Sequence, residues 1–290
     1  FFFQADHGTR DPLWSRGLGD VYKRQGLYYP PLHARCDVMA PEVRVIGING
    51  MPEFKDGDDL AGPMMDAADA QGTPLEEGDI LVVTQKIVSK VEGKVVKITD
   101  VEASPLAISI TEGHRRDPRH TEWVLRESKR IVRMDRGVII SETKHGFYCA
   151  NAGIDASNIP GDDTLALLPD DSDDSARRMR QAVKDRLGIT VAVIVSDTFG
   201  RPWRNAAADI AIGVAGIDPV HSYVGQMDSH GHEMFTTEIA VADELAAAGE
   251  LVSGKVDGVP VSIIRGYTYT PMEDASIQRI LRGGEKDLFR

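Results

Sequence analysis

The chain has 290 residues, of which 42% are hydrophobic and 27% charged, and a formal net charge of −12. That length holds one large or two small domains with a real core, and the composition excludes intrinsic disorder. The acidic balance speaks against a general nucleic-acid binder, which carries a basic patch, and no apolar run approaches the roughly 20 residues that span a bilayer.

The first 38 residues open on Phe1-Phe2-Phe3 and scatter Gly, Pro and Arg with no sustained period. They lack the basic start, apolar middle and small-residue cleavage site of a signal peptide. Met39-Ala40-Pro41-Glu42, followed by the strand-like run at 43–48, reads as a natural beginning. Residues 1–38 are therefore expected to be an extraneous leader, and residues 39–290 one functional unit with room for two subdomains. Cys36 and Cys149 are too few and too isolated for a disulfide scaffold or a zinc ribbon, so a reducing cytoplasm is the expected compartment.

The run at 43–48 leads into a loop marked by Gly50 and Pro52. Asp58-Asp59 before Leu60, Met64 and Ala67 predicts a capped helix. Gly78-Asp79 opens a strand over 80–84, which runs straight into Gln85-Lys86-Ile87-Val88-Ser89-Lys90. A helix is predicted over 121–130, a short strand over 138–140 and a loop after 147–154. The acidic turn at 169–174 precedes an amphipathic helix over 176–187 that stops at Gly188. Its aspartates suit a solvated helix N-terminus better than calcium, because the glycine and distal glutamate of an EF-hand are absent. A buried strand over 189–195, a helix over 237–251 and a strand over 259–264 complete the pattern. Strands and helices interleave without a regular βαβ rhythm, which predicts an α+β fold of mixed sheets with flanking helices.

Two stretches carry the chemistry. Ser196-Asp197-Thr198-Phe199-Gly200-Arg201-Pro202-Trp203-Arg204 follows a buried strand and presents a carboxylate, a hydroxyl and two guanidinium groups together. That set suits a metal-phosphate site; the alternative is a strand–loop junction with solvated charges. In Asn151-Ala152-Gly153-Ile154-Asp155-Ala156-Ser157-Asn158, a loop presents Asp155 and Asn158 three apart. A hard cation takes one or two carboxylates plus phosphate oxygens, a role for Asp155 and Asp197 if the fold joins them. An Asx-turn and a cap are the structural alternative. Lys90 suits a phosphate as a point charge, or is simply a surface lysine. Gly249-Glu250-Leu251-Val252-Ser253-Gly254-Lys255-Val256 misses the phosphate-loop pattern, since Val256 replaces the metal-holding Ser or Thr and a helix precedes it. His221, His230 and His232 lack the helical spacing of a zinc site.

Taken together, Gly57-Asp58-Asp59-Leu60, the run from Val83-Thr84-Gln85-Lys86 to Gly93, Ala152-Gly153-Ile154-Asp155-Ala156-Ser157-Asn158, the stretch at 196–219 and Ala240-Val241-Ala242-Asp243-Glu244 resemble one family. It is the coenzyme F-420-zero:L-glutamate ligases, or γ-glutamyl ligases, and the likeness covers about residue 43 to the C-terminus. The resemblance implies a two-part α+β subunit in an intertwined homodimer. It implies GTP as co-substrate, magnesium or manganese in one or two sites, room for a monovalent cation, and amide bond formation between L-glutamate and the deazaflavin precursor F-420-zero. In the family's proposed mechanism the precursor carboxylate takes the γ-phosphate, and the glutamate amine displaces it. By position, the resemblance makes Asp155, Asp197 and Thr198 metal ligands, and Met51, Pro52, Glu53, Phe54, Gln85, Lys90 and Asn158 nucleotide contacts. Gly254 and Lys255 fall on a further nucleotide segment, where some relatives offer a metal ligand that a protonated lysine does not. Arg201 and Arg204 are assigned to anionic substrate or phosphate on charge alone, and are the catalytic candidates. Some relatives carry an additional flavin-binding reductase domain; the stand-alone form is expected here, a truncated chain being the alternative. A metal-dependent phosphohydrolase and a nonenzymatic nucleotide-binding dimer module are the competing readings.

Overall fold

Two apolar, β-branched runs lie side by side and set the frame. Strands β2 (Ile80–Thr84) and β8 (Ala192–Gly200) are parallel, in register from Ile80 opposite Ala192 to Thr84 opposite Ser196. Strand β12 (Val261–Arg265) is antiparallel to β2, β1 (Arg44–Gly47) to β12, and β9 (Ala207–Ala215) to β8, giving the order β1-β12-β2-β8-β9. Buried side chains at successive positions of β2, β8 and β12 require apolar cover on both faces. Helix α5 (Ser172–Leu187) packs on β8 and β9, and α6 (Val241–Ser253) packs on β9, β12 and β1. Helix α1 (Ala61–Ala70) packs in turn on α5. The computed structural model describes residues 40–161 and 163–283; the leader expected at 1–38 lies outside them.

A second, smaller core belongs to the antiparallel sheet β4 (Ser128–Asp135), β5 (Val138–Thr143) and β6 (Tyr148–Ala150), where Val124, Ile139 and Ala152 are buried together. Helices α3 (Pro105–Thr111) and α4 (Pro118–Glu127) flank it. Two two-stranded sheets, β3 (Val95–Lys97) with β7 (Thr164–Ala166) and β10 (His221–Ser222) with β11 (Glu238–Ile239), complete the strands. With α2 (Gln85–Val91), the described residues hold six α-helices, and the fold is α+β with mixed sheets. No helix among them is long and apolar enough to cross a membrane.

Several local expectations shift. The expected strand tip at Ser196 is where β2 ends, but β8 itself continues to Gly200, paired only with β9 after a register shift between Val195 and Ser196. The helix expected at 121–130 starts earlier, because Asp117 caps it by accepting from the Arg119 N–H at 2.8 Å and Pro118 occupies its first turn. It also stops earlier, and Ser128 begins an edge strand whose exposed, charged face reads locally like helix surface. Helix α5 begins at Ser172 rather than 176, because Asp171 accepts from the Asp174 N–H at 2.9 Å. The capped helix expected after Asp59 is present: Asp59 accepts from Ala61 and Gly62 N–H at 3.0 and 3.1 Å.

Within that acidic turn, Asp173 is not solvated. It is 8% exposed, and its carboxylate accepts from the Val214 N–H at 2.8 Å, the Ser276 hydroxyl at 2.7 Å and the Ile277 N–H at 3.1 Å. One acceptor-only group thus ties α5 to β9 and to the C-terminal segment. Asp173→Asn turns an amide N–H toward donors in a buried position, and is expected to cost about 2 kcal/mol. A urea titration should show a lower midpoint with unchanged slope, and a midpoint equal to the parent's would refute this role.

Candidate active site

Loops gather beyond the shared end of β2 and β8, the place where open sheets with parallel strands bind ligands. They enclose a cavity of about 550 Å³. Its wall includes the loop after β1 (Met51, Pro52, Glu53, Phe54), one face of α2 (Gln85, Lys86, Lys90), and the loop carrying Asp155, Ser157 and Asn158. Ser196, Asp197 and Thr198 of β8, Asp209 of β9, and Gly254 and Lys255 after α6 close it.

Helix α2 starts directly at the end of β2, so its first turn faces the cavity. Gln85 is almost fully buried and donates to Ser89 Oγ at 2.6 Å and to the Leu167 carbonyl at 2.9 Å, while its Oε1 has no hydrogen-bond partner. Lys86 and Lys90 are four residues apart and share a helix face. Lys90 Nζ pairs with Glu53 Oε2 at 2.9 Å. Lys86 Nζ pairs with Asp155 Oδ2 at 2.6 Å and donates to Ser157 Oγ at 3.1 Å.

The Asp155 loop is pinned by its backbone, which exchanges hydrogen bonds with Ala166 at 3.1 and 2.8 Å. Asp155 Oδ1 accepts from the Ser157 N–H and hydroxyl, both at 2.8 Å, so an Asx-turn and a cavity-facing carboxylate coexist. Burial pushes its pKa up, but the bonds from Lys86 and Ser157 outweigh that and hold it below the usual value. Asn158, with φ 56°, does not cap a helix; its Nδ2 donates to the Lys255 carbonyl at 2.8 Å.

Asp197 is held differently. Its Oδ1 accepts from the Thr198 N–H at 2.8 Å, and it has no ion-pair partner among the described residues. Burial, with Asp155 and Asp209 adding repulsion, pushes its pKa up to about 7. The neighbouring Cys149 thiol is pushed up to about 12 by burial and by Asp197, so it stays protonated and is no nucleophile at neutral pH. Thr198 donates to Asp209 Oδ1 at 2.6 Å and accepts from Lys255 Nζ at 2.6 Å.

The cavity therefore brings together every sequence-predicted site residue except Arg201 and Arg204. Those two are exposed on the β8–β9 loop, because β8 runs on to Gly200 before turning. Sequence reasoning missed Lys86, whose signal was its spacing from Lys90, and Asp209, a carboxylate within an otherwise apolar strand. Among the described residues no group of three or more His, Cys, Asp or Glu side chains is arranged to hold a metal. Asp155 and Asp197 nonetheless offer carboxylate oxygens of the kind a hard divalent ion takes together with phosphate, while the Thr198 hydroxyl is shared between Asp209 and Lys255.

The family model described as F420-0:Gamma-glutamyl ligase matches residues 49–266, a span that includes every cavity residue named above. The chain is 45% identical to the coenzyme F420:L-glutamate ligase of Methanothermobacter thermautotrophicus over 251 residues, 86% of this chain and 99% of the relative. It is 40% identical to that of Methanocaldococcus jannaschii over 250 residues, 86% of this chain and 97% of the relative. The corresponding protein of Methanopyrus kandleri is 37% identical over 255 residues, 86% of this chain and 98% of the relative.

The raised Asp197 carboxyl has a thermodynamic signature. Below the ordinary pKa of 3.8 it is protonated folded or unfolded; as pH rises to about 7 the unfolded chain ionises first, and stability falls. Asp197→Asn removes that penalty, so the ligand-free variant should be more stable than the parent at about pH 8, by about 2 kcal/mol after allowing for partial exposure. At about pH 4 the gap should close. Equal melting curves at both pH values would show that Asp197 is not strained by its surroundings.

Proposed function

The chain belongs to the F420-0:gamma-glutamyl ligase family, and from that premise we propose that it joins L-glutamate by an amide bond to the carboxylate of the deazaflavin precursor F420-0, using GTP and a divalent ion. The observation that carries this reading is the single cavity in which Asp155, Asp197 and Asp209 stand among Lys86, Lys90 and Lys255. A carboxylate lacks a leaving group until it is phosphorylated. In the proposed first step its oxygen bonds to the γ-phosphorus of GTP, the bond to the bridging oxygen breaks, and GDP leaves. In the second, the glutamate amine attacks the acyl carbon and inorganic phosphate departs with the bonding electrons, while the amine gives up its proton.

Both steps bring anions together, so positive charge must be in place beforehand. Lys86 and Lys90 are proposed to turn from Asp155 and Glu53 to the phosphates. The nucleotide is assigned to Met51, Pro52, Glu53, Phe54, Gln85, Lys90, Asn158, Gly254 and Lys255. Asp155 and Asp197 would hold magnesium or manganese, the Thr198 hydroxyl staying with Asp209 and Lys255. Such an ion supplies charge neutralisation at the transferring phosphoryl group. The homodimer is part of the same reading, and light scattering at twice the chain mass would support it.

Incubation with GTP, magnesium or manganese, L-glutamate and F420-0 should release GDP and raise the deazaflavin mass by one glutamate residue. Release of GDP without glutamate or F420-0, and with no mass gain, would favour a phosphohydrolase instead. Asp197→Asn should cut turnover at least about 100-fold although its fold is the more stable one; near-normal turnover would reject Asp197 as a ligand. Because metal binding needs ionised Asp197, manganese affinity should rise about tenfold from about pH 6 to about pH 8, and a flat titration would contradict this.

A further inference from the structure

We propose that the Lys255 ammonium takes the place of a second divalent ion in this site, so that the chain works with one metal ion and one built-in cation. The proposal rests on the nucleotide-and-metal reading above and deepens it. The aspartates of the cavity fall into two groups, apart from Glu53, which pairs with Lys90. Asp155 and Asp197 come from different elements, and Asp197 has no ion-pair partner among the described residues. Asp209 stands across the β8–β9 ribbon, opposite Thr198 in register and 5% exposed.

A carboxylate that deep needs a counter-charge, because hydroxyl groups alone do not offset its desolvation. Its hydroxyl neighbours are Thr198 Oγ1 at 2.6 Å from Oδ1 and Ser196 Oγ at 3.4 Å from Oδ2. The counter-charge is Lys255, whose Nζ lies 2.6 Å from Thr198 Oγ1, 3.2 Å from Asp209 Oδ1 and 3.6 Å from Glu250 Oε1. Of the three N–H donors of an ammonium, two meet Thr198 and Asp209 at hydrogen-bond distance, and the Glu250 carboxylate adds a second counter-charge nearby. A divalent ion seated on the same oxygens would stand in contact with that ammonium.

The backbone shows that this placement is built. Gly254 has φ 57° and ψ −169°, a conformation essentially confined to glycine, and a Cβ there would collide with the Asp257 carboxylate. The next carbonyl, that of Lys255, accepts from Asn158 Nδ2 at 2.8 Å. The turn is thus fixed at both sides of Cα255, and the side chain, although 55% exposed as a whole, directs its charged end to the ribbon. Asp197, by contrast, has a carboxylate oxygen to offer. The geometry assigns the divalent ion to the Asp155–Asp197 group and the fixed charge to the Asp209 group.

The test is metal stoichiometry in the full chain, with a nonhydrolysable GTP analogue, read by manganese titration calorimetry and electron paramagnetic resonance. The parent should bind one manganese ion per chain, with the spectrum of an isolated ion. Lys255→Glu and Lys255→Gln both remove the ammonium, and the first adds a ligand. Whichever folds, as judged by its melting curve, should bind two ions with the broadened spectrum of a coupled pair. Two ions in the parent would overturn the proposal while leaving the metal site standing, and so would a single ion in the folded variants. No ion at all in the parent would overturn the metal reading and the proposal with it.

Discussion

The parallel pairing of β2 with β8 is the constraint from which the rest follows. Because Thr84 and Ser196 end that ladder opposite each other, the chain must leave the sheet at one level from both strands. It leaves β2 as a helix, presenting Gln85, Lys86 and Lys90 within two turns. It leaves β8 as a two-stranded ribbon, in which the register shift after Val195 re-aims Asp197 and sets Thr198 against Asp209. A slip of one residue in the β2–β8 ladder would turn this entire set to the other face. Fold and site share one register.

On that frame the charges are arranged against the balance of the whole chain. A protein with a net charge of −12 repels polyanions at long range. In the cavity each lysine is held by a carboxylate: Lys86 by Asp155, Lys90 by Glu53 and Lys255 by Asp209. These pairs do more than add stability, which partly exposed pairs do weakly. They keep three cations oriented at low reorganisation cost and leave Asp197 as the carboxylate with no such partner. An anion that drew Lys86 and Lys90 away would leave Asp155 and Glu53 in need of a cation, so these two pairs exchange partners readily only with a ligand that brings both signs of charge.

The parts legible in sequence were those where one element decides its own state. Buried strands such as Ile80–Thr84 read as apolar runs because both faces are covered, and Asp59 and Gly188 announced helix ends through local bonds and φ. Strand Ser128–Asp135 was not legible, because an edge strand with an exposed, charged face has the composition of a helix surface. Asp209 was hidden for another reason. Its role exists only through a cross-strand partner fixed by the shift after Val195, and no local pattern encodes that register. Arg201 and Arg204 lie outside the cavity for the same cause, since the length of the ribbon decides whether a loop charge faces the cavity or the solvent. Asp155 and Asp197 drew notice as residue types, but their proximity depends on a backbone bridge to Ala166.

Packing behind the site then sets the height of its last wall. Helix α6 approaches the sheet so closely that a Cβ at Gly249 would stand 2.6 Å from Ser262 Oγ and 2.9 Å from Val82 Cβ. Gly249 lies little more than one helical turn before Gly254, so the depth of the helix is also the depth of the turn that carries Lys255. A larger residue at 249 would have to lift α6 from β12 and β2, since backbone-anchored strands yield less than a helix end. The ammonium, which meets Thr198 at 2.6 Å, would then lose hydrogen-bond contact well before the helix lost its apolar cover. A glycine that touches no ligand therefore fixes a charge in the cavity through helix–sheet spacing alone.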